Sequence, residues 1–95
     1  MPPYLNFEWD EKKAQTNLAK HHVEFAYATA VFLDPFLLKL DVSRPHEGEN
    51  RQKAIGSVEG RVLTVVYTIR GETTRVISAR RSSASERKLY DSLQA

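Results

Sequence analysis

The chain carries seven arginines after position 50, and two histidines stand side by side at His21-His22 behind Lys20. Arginine presents a planar fork of donors that matches the oxygens of a phosphate. Imidazole exchanges a proton near neutral pH, so a histidine beside a lysine can serve as general acid or base. The same residues have plainer uses. A histidine at a helix C-terminus interacts favourably with the helix dipole, and arginines at strand ends are simply well solvated. A metal site is not supported, because two adjacent histidines cannot face one zinc ion from a regular helix and no third ligand is suitably spaced. Cysteine is absent, which removes disulfides, thiolate metal sites and a cysteine nucleophile. No GxSxG elbow, Walker loop or dinucleotide-binding glycine pattern occurs, so no cofactor is expected.

These side chains need a scaffold, and 95 residues make a single domain spanning 1–95. Leu5, Phe7 and Trp9 alternate with Asn6 and Glu8, which predicts a short strand with one buried face. Asp10 reads as the N-cap of a first helix running to about Lys20, with Glu11 complementing the dipole and Ala14 and Leu18 at helical spacing. A second helix is predicted from roughly Glu24 to Phe32, with Phe25, Ala28, Val31 and Phe32 on one face. Asp34-Pro35 stops it. Phe36 to Leu40 reads as a short strand. Asp41 to Asn50, with Pro45 and Gly48, reads as a polar loop long enough to be functional.

Lys53 to Val58, Arg61 to Arg70 and Thr73 to Arg80 are then three β-rich runs. Glu59-Gly60 and Gly71-Glu72 join them as tight hairpins, with glycine supplying positive φ. Ser83 and Glu86 form a capping box that opens a last helix reaching about Leu93. The segregation of helices and strands predicts an α+β fold: an antiparallel meander packed with two N-terminal helices and one C-terminal helix.

In the middle strand of the meander Leu63, Val65, Tyr67 and Ile69 share one face, opposite Val62, Thr64, Val66 and Thr68. In the last strand Arg75 and Arg80 point to opposite faces if the strand is regular, and a bulge would bring Arg80 round. Tyr67 is either a core residue or a polar-tipped aromatic beside the arginines. Net charge is +2, but it is unevenly placed. Residues 1–50 hold five cations and eight anions, and residues 51–95 hold nine cations and four anions. A basic C-terminal half suits nucleic acid or an acidic partner, and equally a solvated surface. The first residues lack the character of a signal peptide, and no apolar run approaches the roughly 20 residues that span a bilayer. A soluble, cytoplasmic protein with no membrane partner is expected.

Three stretches, taken together, resemble the BrnT family of type II toxins. The first is Phe7-Glu8-Trp9-Asp10-Glu11-Lys12-Lys13, continuing through Asn17, Lys20 and His21. The second is Glu49-Asn50-Arg51 with Ile55-Gly56. The third is Arg75-Val76-Ile77-Ser78-Ala79-Arg80-Arg81, followed by Glu86 and Tyr90. The likeness covers nearly the whole chain. It implies a fold similar to RelE-type ribonucleases and RNA cleavage without a metal, inhibiting translation. It also implies neutralisation by a co-encoded ribbon-helix-helix antitoxin similar to BrnA, in a complex of two toxins and two antitoxins that meets DNA only through the antitoxin.

Two positions depart from the family pattern. His22 stands where glycine is usual, and Arg81 stands where lysine is frequent. For such a cleavage, residue type makes Arg51, Arg75 and Arg80 the expected stabilisers of phosphoryl charge, and His21 the expected acid or base. Lys20, Tyr67 and Arg81 are the expected substrate-binding residues, and the arginines are expected to converge in one phosphate-gripping hollow. The alternative is a non-catalytic module whose basic sheet holds a protein or a nucleic acid.

Overall fold

A computed structural model describes residues 6–44, 48 and 50–94. Leu5 of the expected first strand, and Pro45 and Glu49 of the polar loop, lie outside the described residues. The chain runs β1 (Phe7–Glu8), α1 (Glu11–His21), α2 (Phe25–Ala28), a 3-10 turn (Thr29–Leu33), β2 (Leu38–Asp41), β3 (Gln52–Val58), β4 (Arg61–Arg70), β5 (Thr73–Arg81) and α3 (Ala84–Ser92). The architecture is α+β, with the meander and the three helices in the expected order.

The meander is antiparallel as expected, and the addition of β1 makes the whole sheet mixed. Its strand order is β1-β5-β4-β3-β2, and β1 pairs parallel with β5 while the other ladders are antiparallel. The cause is the path of the chain. The two helices carry it from β1 across one face of the sheet to the far edge at β2. The meander then returns until β5 lies beside β1, running in the same direction.

Both hairpins form as their glycines predict. Glu59 and Gly60 have φ of 51° and 81°, the two positive values of a type I′ turn, and Gly71 has φ of 61° at the first position of its turn. The capping box is complete: the Ser83 hydroxyl accepts from the Glu86 amide, and the Glu86 carboxylate accepts from the Ser83 amide. Asp10 occupies the N-cap position of α1, but its side chain makes no cap hydrogen bond.

The predicted second helix is shorter and tighter than expected. Thr29 donates its hydroxyl to the Ala26 carbonyl at 2.7 Å, and the chain passes from α to 3-10 geometry there. The tighter path lays the Val31 backbone on Gly56, where a Cβ would lie 2.9 Å from the Val31 carbonyl oxygen. β2 starts at Leu38 because Asp34 organises a turn over the preceding residues. Its carboxylate accepts from the Phe36 and Ser57 amides and from the Tyr90 hydroxyl. Burial pushes the Asp34 carboxyl up, but these hydrogen bonds outweigh it and leave it below the usual range. Burial, and then the Asp34 carboxylate, push Tyr90 up to about 12.

The core lies between α1, α2 and one sheet face. Phe25, Ala28, Val31 and Phe32 pack there on Ala54, Leu63, Val65, Val76 and Ala79. Trp9 meets Phe25 edge-on with ring centres 6.0 Å apart. His22 closes α1 in the left-handed region, with φ 59° and ψ 29°. Glycine adopts that conformation without the Cβ penalty. His22→Gly is therefore expected to stabilise the fold by about 0.5–1 kcal/mol, read as a higher midpoint in urea with an unchanged slope.

Candidate active site: a cationic sheet face

The face of the sheet away from α1 and α2 carries the cations. In β4 it presents Thr64, Val66 and Thr68, which the pairing places opposite Ile55, Lys53 and the start of β3. Arg51, one residue before β3, falls in alternation with Lys53. The decisive local feature is in β5. Tyr67 pairs with Val76 and Val66 with Ser78, so Ile77 is an extra residue in the strand. This bulge shifts the alternation. Arg75 pairs with Thr68 and Arg80 with Thr64, and both arginines project from the face that bears Arg51 and Lys53.

They do not close on a single hollow. Their partners Thr68 and Thr64 lie four positions apart in β4, so the backbones of Arg75 and Arg80 stand about 13 Å apart, on the face against which α3 sets Glu86. Each is held by its own carboxylate. β1 brings Glu8 into register with Arg75, and Arg75 donates to it at 2.8 Å. Arg80 makes a bidentate pair with Glu86, at 2.6 and 3.0 Å.

Glu86 is the hub of the face. Besides Arg80 it accepts from Lys53 Nζ at 2.8 Å, from the Thr64 hydroxyl at 3.2 Å and from the Ser83 amide at 2.8 Å. The Arg80 guanidinium holds its carboxyl far below the usual carboxylate range. Burial opposes this, while Lys53 and the Ser83 amide reinforce it. Because the folded-state value is depressed, the stabilisation is complete above the unfolded value near pH 4.5 and is lost as pH falls below it. Glu86→Gln is expected to destabilise the protein by about 2 kcal/mol at neutral pH, since it leaves Arg80 and Lys53 without their anion. In denaturation series at successive pH values the gap between variant and wild type should narrow from about pH 4.5 downward. A gap independent of pH refutes the clamp.

The α1 side of the β5 edge adds the remaining candidates. Asn17, buried in the middle of α1, donates to the Ala79 carbonyl at 2.7 Å and accepts from the Ala79 amide at 3.1 Å. It thereby fills the edge of β5 beyond the end of β1 and docks α1 there. A hollow of about 330 Å³ follows, lined by Lys12, Lys13, Lys20 and His21 from α1 and by Ile77 and Ser78 of the bulge. Ser78 pairs with Val66, which places it on the cationic face between Arg75 and Arg80.

Thus Arg51, Arg75 and Arg80 share one face, and Lys20 and His21 border it through the bulge. Two expected site residues lie elsewhere. Tyr67 is 2 % exposed and points into the core, with its ring edge-on to Phe32 at 5.0 Å. Burial pushes its hydroxyl up. The strand's alternation fixes this placement, since Tyr67 shares the helix-covered face with Leu63 and Val65. Arg81 lies opposite Leu63 and so projects on the other side of β5 from Arg80. Lys53, Glu86 and Asn17 were not expected in the site. The spacing of Lys53 two residues after Arg51 was a readable sign for the first. For Glu86 the capping box was visible, but not its second task.

A small α+β domain with one sheet face buried under α1 and α2, and the other carrying arginine and lysine beside α3, is a class of architecture suited to polyanions. Among the described residues, no helix is long and apolar enough to cross a membrane. The model of the family described as ribonuclease toxin, BrnT, of type II toxin-antitoxin system matches residues 9–86, and the chain belongs to that family. Comparison with curated proteins gives no match.

Proposed function

We propose that the protein is an endoribonuclease toxin that cleaves RNA without a metal ion and is neutralised by a cognate ribbon-helix-helix antitoxin. The observation that carries this reading is the shared face of Arg75 and Arg80 produced by the bulge at Ile77. RNA supplies its own nucleophile, the 2′-hydroxyl. Attack on the adjacent phosphorus forms a new P–O bond, expels the 5′-oxygen of the next nucleotide and leaves a cyclic phosphate. The reaction needs a proton acceptor, a proton donor and fixed positive charge around the phosphorus. Arg75, Arg80 and Arg51 are suited to the charge, the work a divalent cation does in other nucleases. His21 at the edge hollow is suited to move a proton, and Lys20 and Arg81 to bind neighbouring phosphates. Membership of the family supports a translation-inhibiting, RelE-like activity in the cytoplasm, with two toxins held by an antitoxin dimer.

Expression of the protein alone in a bacterium is expected to arrest growth, and co-expression with its antitoxin to restore it. Purified protein should cleave RNA in the presence of a chelator. Cleavage that stops with the chelator overturns the metal-free mechanism. Harmless expression, with RNA bound but uncut, replaces the enzyme by a non-catalytic binding module.

A further inference from the structure

At the end of the β4–β5 ladder lies a second cationic feature, of which the proposed function above uses only Arg81. Arg81 lies opposite Leu63, and Arg61 shares a strand face with Leu63, so Arg61 and Arg81 are diagonal neighbours across the pair. The chain then passes through Ser82, whose amide donates to the Val62 carbonyl at 3.0 Å, and enters α3, whose first turns carry Arg87. The three arginines, with Gly60, Val62 and Ser82, line one hollow of about 540 Å³.

This hollow differs from the cationic face in its electrostatics. Arg75 and Arg80 are held by Glu8 and Glu86. Among the described residues, none of the guanidinium groups of Arg61, Arg81 and Arg87 has a carboxylate or hydrogen-bond partner. All three side chains are exposed. Glu86, on the same helix as Arg87, is already taken by Arg80 and Lys53. Three like charges around one concavity repel each other until an anion enters, and the forks of arginine fit a phosphate.

The neighbouring cavity indicates what kind of anion. It measures about 660 Å³, shares Arg61 and Arg81 with the first, and is walled chiefly by His21, His22, Tyr27 and Leu63, with the Glu24 carboxylate at its lining. Flat and apolar side chains beside a cationic hollow suit a base next to its phosphate, the pattern by which proteins hold single-stranded nucleic acid. A glutamate-rich peptide would use the charge but not the ring-lined space.

We propose that the Arg61–Arg81–Arg87 hollow, at the end of the β4–β5 ladder, is a second phosphate subsite for single-stranded RNA, and that it sets how tightly the substrate strand is held. The proposal rests on the ribonuclease reading, and its test separates the two. A short 2′-O-methylated RNA can bind but lacks the attacking hydroxyl. By fluorescence anisotropy at about 0.1 M salt, R61A/R87A is expected to bind it roughly tenfold more weakly than wild type. The dependence of log K on log salt should become shallower by about 1.4, as two phosphates are then left to their counterions. The control K39A/K88A removes the same charge outside the hollow and should weaken binding by less than about twofold.

With cleavable RNA, R61A/R87A should raise KM roughly tenfold and keep kcat within about threefold. Equal losses in the two double variants overturn the subsite, as does a collapse of kcat with KM unchanged. A glutamate-rich peptide that binds more tightly than RNA, with the same arginine dependence, overturns it in favour of a protein ligand. If the wild type cuts no RNA, the ribonuclease reading falls, while the anisotropy comparison still decides whether the hollow takes RNA.

Discussion

Arg80→Ala is expected to lower RNA cleavage at least about 100-fold, the size of effect seen when one preorganised donor is removed from a charged transition state. The fold should survive the change. Arg80 is only one of four donors on the Glu86 carboxylate, and Lys53, the Thr64 hydroxyl and the Ser83 amide still hold it. The loss of stability is expected near 1 kcal/mol, a drop in melting temperature of about 4–8 °C. Arg80→Lys keeps the charge and loses the fork, so it should restore little activity. Cleavage by purified variants, read beside their melting curves, decides the matter. Arg80→Ala cutting within threefold of wild type removes the residue from the mechanism.

The largest expected effect on stability belongs to Asn17. Its side chain is 6 % exposed and makes three hydrogen bonds: to the Val23 carbonyl at 3.0 Å, to the Ala79 carbonyl and from the Ala79 amide. Ala79 is itself fully buried, on a stretch of β5 that β1 does not reach. Truncation leaves its amide and carbonyl without partners, and each such buried group costs about 1–3 kcal/mol. Asn17→Ala is expected to destabilise the protein by about 3 kcal/mol, measured in urea. Asn17→Asp should do little better, because it keeps an acceptor for the Ala79 amide but sets a carboxylate against two carbonyls. A loss below about 1 kcal/mol rejects the edge-filling role. The same side chain holds α1 against the bulge, so cleavage should fall with stability in this variant, unlike in Arg80→Ala.

The contrast between these residues shows what the sequence made legible. The meander was readable because Glu59-Gly60 and Gly71-Glu72 specify their turns locally, and the last helix because Ser83 and Glu86 cap it within four residues. Local chemistry also explains the failures at the second helix, where one threonine hydroxyl tightens the chain, and at β2, where Asp34 gathers amides from two segments. The parallel pairing of β1 was not readable, since two residues of strand carry no sign of the partner they meet 67 positions later. The site was legible in its residue types and not in its arrangement. Arg51, Arg75 and Arg80 could be named, but the common face of the last two depends on one unpaired residue in β5. Tyr67 could be placed on either side of the sheet until the helices were seen to cover Leu63 and Val65. Asn17 stood in the stretch that resembles the family, yet its bond to Ala79 spans 62 positions and leaves no local trace.

Ile77 has a consequence for how this strand can vary. Side chains in an extended chain take turns, so whether two positions look the same way depends on whether the count between them is odd or even. Arg75 and Arg80 stand an odd number apart, and one uncounted residue makes the sum even. If that surplus migrated past Arg80, the guanidinium would come to lie opposite Leu63 and turn toward the core, while Ala79 would swing out in its place. Asn17 stands against the migration, because it clasps both backbone groups of Ala79 and so fixes where the counting resumes. Losing Ile77 altogether would merely straighten the strand and leave both arginines outward. Gaining one more residue in the same interval, with no second bulge to absorb it, would reverse Arg80. The strand therefore tolerates shortening by one better than lengthening by one, although neither change alters its charge.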